Sequence, residues 1–219
     1  MMKLKCNNKL DKLWNNLEEA IVLMIYGPAG AGKTTLCLQF TLSTMMRGGN
    51  VLFISTEDSM FLDRLEVMCK SWNVALDYEK LHVIDVRDFL NQYRVIVNIL
   101  PKMAIHYSLI VIDSHTGLFR LSVSDVELDK LIKIFNIQNA YLRMVVDRLK
   151  IPLVITSQVR GDEVEDVVPI AHKILEYWSD IILRISEGKT FRSRIVDVVK
   201  HPQAKGRRYI LRLDDRGLI

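Results

Sequence analysis

A chain of 219 residues, 49% of them apolar, can bury one substantial core and sits in the size range where α/β folds form a single unit. The 30 Lys and Arg against 26 Asp and Glu leave a net charge of only +4, which neither demands nor excludes nucleic acid. The longest apolar runs are strand-length, which argues against a membrane span, and Met1-Met2-Lys3-Leu4-Lys5-Cys6 lacks the apolar core of a signal peptide. Cys6, Cys37 and Cys69 are widely spaced, match no metal-ligand pattern and suit a reducing cytoplasm.

Ile21 to Tyr26 is apolar on both pleat faces and predicts a buried parallel strand. It runs into Gly27-Pro28-Ala29-Gly30-Ala31-Gly32-Lys33-Thr34, which matches G-x-x-x-x-G-K-[ST] at every fixed position. A helix is predicted from Thr34 to Met46, so the pattern lies between a strand and a helix, as phosphate binding requires. Glycines let the backbone wrap a polyphosphate, with its N–H groups and the helix N-terminus facing the anion. Lys33 would reach the β- and γ-phosphates and the Thr34 hydroxyl would ligate Mg²⁺, with Thr35 completing the binding segment. The expected ligand is a nucleoside triphosphate.

Further strands are predicted at Val51–Ser55, Leu81–Asp85, Leu109–Asp113 and Ile151–Thr156. Helices are predicted at Ser59–Trp72, Phe89–Met103 and over the apolar positions from Leu128 to Leu149. Strand and helix alternate five times, which implies a mostly parallel central sheet with helices on both faces. After residue 178 the pattern changes to short strands, Asp180–Ser186, Phe191–Val199 and Arg207–Leu213, and an antiparallel extension is expected.

Three side chains at strand ends are candidates for the chemistry, because open parallel sheets bind ligands at the carboxyl ends of their strands. Asp113 stands where a second carboxylate of P-loop proteins holds Mg²⁺. Ser114 follows it where many helicases carry a Glu, so a general base must come from another strand. Glu57, just past Val51–Ser55, is the candidate, although Thr56-Glu57-Asp58 also fits a helix cap. Gln158 ends the fifth strand and could sense the γ-phosphate, or be an ordinary polar terminus. No His-x-x-x-His pair is present, so no metal beyond Mg²⁺ is expected.

Together these segments resemble the RecA-like recombinase ATPases, in particular archaeal RadA and its short RadB-like paralogues, over nearly the whole chain. Ile54-Ser55-Thr56-Glu57 resembles the family's strand ending in the catalytic Glu. Val111 to Arg120 resembles its Walker B strand and the start of the first DNA-binding loop. Ile155-Thr156-Ser157-Gln158-Val159 resembles the strand whose Gln couples nucleotide to the second loop, and Leu10 to Leu13 its entry segment. The resemblance implies one RecA-like ATPase core over residues 1–219, slow Mg²⁺-dependent ATP hydrolysis, and a role beside a main recombinase or other paralogues in homologous recombination. A KaiC-like or helicase-type ATPase, or a nucleotide-gated module with vestigial hydrolysis, stays open.

Departures from the family pattern bear on partners. About a score of residues precede the first strand, too few for the family's N-terminal helix-hairpin-helix domain, and no Phe-x-x-Ala docking motif occurs there. The first loop region, with Ser122, Ser124, Asp125 and Glu127, and the second, with Asp162, Glu163, Glu165 and Asp166, are poor in cations. Weak, single-stranded DNA binding is therefore expected, carried by the C-terminal hairpins. Arg192, Arg194, Lys200, Lys205, Arg207 and Arg208 are candidates there for nucleic-acid contact, for a cation acting on a neighbour's γ-phosphate in a homo- or hetero-oligomer, or for a solvated sheet edge.

Overall fold

The computed structural model describes residues 5–6, 9–14, 21–57, 61–124, 127–160, 168–169 and 171–219. Five-residue strands with continuous apolar runs are buried end to end: β1 (Val22–Tyr26), β2 (Val51–Ser55), β4 (Leu109–Asp113) and β5 (Leu153–Ser157). Helices packed on both faces leave no polar side for such strands, which is why they lack alternation. With β3 (Leu81–Asp85), β8 (Ile181–Glu187), β9 (Ser193–Lys200), β10 (Arg208–Asp214) and β11 (Gly217–Leu218), they form one sheet ordered β11-β10-β9-β8-β1-β5-β4-β2-β3. The pairings from β3 to β8 are parallel, and those from β8 to β11 antiparallel. A mostly parallel sheet with an antiparallel extension is thus the observed fold, as the sequence predicts.

Side chains alternate between two cores. Leu23, Ile25, Phe53 and Val111 pack with α1 (Lys33–Met46) and α2 (Phe61–Trp72) on one face. Met24, Leu52, Ile54 and Ile112 pack on the other with α3 (Phe89–Arg94), α4 (Leu100–Met103), α6 (Leu128–Leu149) and α7 (His172–Trp178). Parallel register puts Ser55 beside Asp85 and Asp113, and Tyr26 beside Ser157, so the strand ends share one edge.

Several elements differ from expectation. The helix expected over 89–103 is split by a wide π-type turn at Val95–Ile99, just ahead of Pro101, whose missing N–H cannot sustain the regular ladder. The short helices α5 (Gly117–Leu121) and α7, and the ribbon of β6 (Val159–Arg160) with β7 (Val168–Pro169), have no counterpart among the predicted elements. Neither has β11, which is fixed by a contact distant in sequence: Gln39 accepts from Leu218 N at 2.9 Å and donates to Leu218 O at 3.1 Å. Asp58, Asp125 and the acidic run Asp162, Glu163, Glu165 and Asp166 lie outside the described residues.

Behind the strand ends, a buried polar network locks the segment after β4 to α3 and α6. Gln92 Nε2 donates to His115 O at 3.0 Å and to Gln138 Oε1 at 2.9 Å. Asn139 Nδ2 donates to Phe135 O at 2.8 Å, which turns its Oδ1 toward His115 Nε2 at 3.2 Å and makes that nitrogen the protonated one. Burial pushes the His115 imidazole down to about 4, so it is neutral in the fold. Its contribution to stability is complete above its ordinary value of 6.5 and declines as pH falls from there to about 4, below which both states bind the proton. Urea unfolding at stepped pH should show the wild type losing up to about 3 kcal/mol more than His115→Gln across that interval.

Candidate nucleotide site

The turn from β1 to α1 is shaped by close backbone approach. A Cβ at Gly27 would lie 2.0 Å from Ile185 O on β8, so only glycine fits there. Gly32, the residue before α1, has a left-handed φ of 106°, which glycine adopts without strain. The first-turn amides of α1 have no partners within the helix, and free amides at a helix N-terminus that borders a cleft suit an anion. Lys33 Nζ donates to Gly27 O at 2.9 Å and Pro28 O at 2.8 Å. Burial pushes the Lys33 ammonium below its ordinary value, while Asp113 and then Glu57 oppose that shift.

Asp113 ends β4 almost wholly buried. Burial raises its carboxyl above the ordinary carboxylate range, against the hydroxyls of Thr156 and Thr34 and the charge of Lys33. Thr156 Oγ1 donates to Asp113 Oδ1. The next peptide is fixed by Thr56, whose Oγ1 accepts from Ser114 N at 2.9 Å and donates to Ser114 O at 2.7 Å. Thr56 is therefore tied to the segment that follows β4. Hydroxyl and carboxylate oxygens at Thr34 and Asp113 are hard donors, the set that suits Mg²⁺ completed by phosphate oxygens and water. No cluster of three or more His, Cys, Asp or Glu that could hold a metal occurs among the described residues.

Glu57 is exposed at the end of the β2 segment, and Gln158 Nε2 donates to its Oε1 at 2.6 Å. Residues 101 positions apart thus meet across the cleft edge. Thr116 Oγ1 supports Gln158 from behind, accepting from its backbone N at 3.1 Å. Gly117 keeps the floor open, since a Cβ there would lie 2.9 Å from Ser114 Oγ and 3.9 Å from Glu57 Oε1.

Lys33, Thr34, Thr35, Glu57, Asp113 and Gln158 line a single cleft of about 1150 Å³ together with Gly27 to Gly30 and Gly32. Ala31 is buried behind them. The cleft wall also contains Arg120, Arg184 and Ser186, which lie outside the three strand-end candidates. Arg184 Nη2 donates to Asp197 Oδ2 at 2.8 Å and Arg208 Nε to Asp197 Oδ1 at 2.6 Å. Although burial opposes ionisation, Arg208 and Arg184 hold the Asp197 carboxyl below the usual carboxylate range.

The other C-terminal cations separate by what they touch. Arg194 donates to the P-loop carbonyls of Ala31 at 3.1 Å and Gly30 at 3.3 Å. Lys200 Nζ closes the C-terminal end of α7, donating to Glu176 O and Ser179 O at 2.6 Å each. Arg192 lies over the exposed Phe191 ring at 5.3 Å from its centroid. Lys205 and Arg207 are exposed.

Comparison with known proteins agrees with this fold. The profile of the Rad51 family matches residues 2–219. The DNA repair and recombination protein RadB of Methanocaldococcus jannaschii is 31% identical over 209 residues, covering 94% of this chain and 96% of that protein. Its namesake from Methanococcus maripaludis strain C5 is 30% identical over 213 residues, covering 95% and 96%. A crystal structure of the RadB recombinase superposes with a TM-score of 0.80 at 25% identity, over 98% of both chains.

Proposed function

The chain belongs to the Rad51 family, and from that premise we propose that it is a Mg²⁺-dependent ATPase core that assists a recombinase in DNA repair. The supporting observation is the convergence of Lys33, Asp113, Glu57 and Gln158 on one cleft at the carboxyl ends of β1, β4, β2 and β5. The P-loop amides and Lys33 would bind the triphosphate, while Thr34 and Asp113 would hold Mg²⁺, which when bound would supply neutralisation of the phosphate charge. Glu57 Oε1 accepts the proton of the attacking water, and the hydrogen bond from Gln158 fixes the carboxylate's direction. Gln158 is then the residue through which nucleotide state reaches the segment beginning at Val159.

Names carried by the relatives, DNA repair and recombination protein, support homologous recombination as the setting. Buried thiols at Cys37 and Cys69 accord with a cytoplasmic location in this proposal, and no helix among the described residues is long and apolar enough to cross a membrane. DNA contact is weak and single-stranded in this proposal. Lys205 and Arg207 carry it, or act on a neighbour's nucleotide within an oligomer, because Arg194, Lys200 and Arg208 are engaged within the chain.

Two substitutions separate binding from turnover. Lys33→Ala should abolish ATP binding by calorimetry, since the site's P-loop cation is lost. Glu57→Gln should retain near-native affinity with turnover reduced about 10²-fold or more; intact turnover would place the base elsewhere.

Assembly is tested by dilution. A neighbour's cation is worth about 10³–10⁵ in rate where it operates, so a lone subunit should turn over very slowly. Specific activity should rise with protein concentration or with an added recombinase. Fast turnover by a monodisperse monomer, independent of concentration, would remove the neighbour's role.

A further inference from the structure

Arg194 reaches out of the antiparallel extension to grip the nucleotide loop from behind. Its side chain is only 13% exposed, on a strand whose neighbour Arg208 is 59% exposed. Nε donates to Ala31 O at 3.1 Å and Nη2 to Gly30 O at 3.3 Å, while Nη1 returns to Ser193 O at 2.9 Å. Glu187 Oε1 lies 3.6 Å from Nη2 and holds the guanidinium from the β8 side. Every arm of the fork is therefore accounted for within the chain. This is a built contact between residues 163 positions apart.

Peptide planarity gives the contact its consequence. In a trans peptide the C=O and the following N–H point in opposite directions. Holding Ala31 O outward turns Gly32 N–H inward, toward the concavity that receives phosphate. Lys33 acts on the other half of the loop, through Gly27 O and Pro28 O. Four carbonyls of a glycine-rich loop are thus engaged by two cations, one inside the cleft and one behind it. Glycine-rich backbone has many conformations to lose on ordering, so a preset loop binds its ligand at lower entropic cost.

We propose that Arg194 is a positioning residue for the nucleotide site, presetting the P-loop by donating to the Gly30 and Ala31 carbonyls from β9. It touches no substrate; it acts through the direction of the loop amides. Charge-assisted, two-pronged contacts of this kind need the planar guanidinium, and a lysine ammonium can satisfy only part of the geometry.

The proposal rests on the nucleotide reading of the cleft for one arm of its test and is independent of it in the other. In steady-state ATP hydrolysis, Arg194→Met should raise KM about 10–100-fold with kcat within about threefold of wild type. Arg194→Lys should fall between, retaining one of the two contacts; it also serves if the Met variant does not fold. Hydrogen exchange of the 27–34 segment without nucleotide should be about tenfold faster in the Met variant than in wild type. A wild-type chain that binds no ATP would defeat the ATPase reading, and the exchange comparison would still decide the hold on the loop. Exchange and KM both within about twofold of wild type in a folded variant would overturn the role of Arg194.

Discussion

A buried carboxylate organises this molecule. Asp113 sits at the end of a central strand with almost no contact with water, and an isolated charge there would be costly. Its surroundings answer that cost: the Thr156 hydroxyl on the neighbouring strand, and Lys33 and Thr34 at the start of α1. Each of these partners reaches Asp113 only because β1, β5 and β4 lie side by side in parallel register. The constraint also propagates outward. Thr56 must fix the Ser114 peptide, His115 N must find Thr156 O at 2.9 Å, and the His115 ring must stay neutral within its amide network. Nucleotide site and core are thus one polar system enclosed by two apolar layers.

A second pair of side chains meets at the other side of the same edge. Glu57 stays exposed where Asp113 is buried, so the two carboxylates have different environments. The buried one suits a metal ion; the exposed one, held by Gln158, suits proton transfer to and from water. Gln158 precedes the β6–β7 ribbon directly, which gives any change at the nucleotide a short covalent route to the segment beyond residue 160.

The antiparallel extension gains a role that its composition does not reveal. A run of cations in hairpins suggests a nucleic-acid surface, yet Lys200 ends a helix, Arg208 shares Asp197 with Arg184, and Arg194 supports the P-loop. Strands β8 to β11 serve as a buttress for the site's rear wall. Gln39 ties β11 to α1 and so braces the same helix whose N-terminus borders the cleft.

What the sequence determined by itself was local and periodic. The strand, glycine loop and helix around Lys33, the buried runs ending at Ser55 and Asp113, and the long amphipathic helix are all readable, because burial on both faces and helical spacing leave direct marks on residue order. Resemblance to a family then aligned Glu57 and Gln158 with known strand ends. Tertiary structure decided the rest. The pairing of Glu57 with Gln158, the commitment of Thr56 to Ser114, and the partners of Arg184 and Arg194 all join residues far apart along the chain. Short elements such as α5, α7 and β11 were likewise beyond periodicity, since one or two turns and two-residue strands are stabilised by what they pack against. A cation's sequence position shows that charge is present, but only the fold decides which carbonyl or carboxylate it meets.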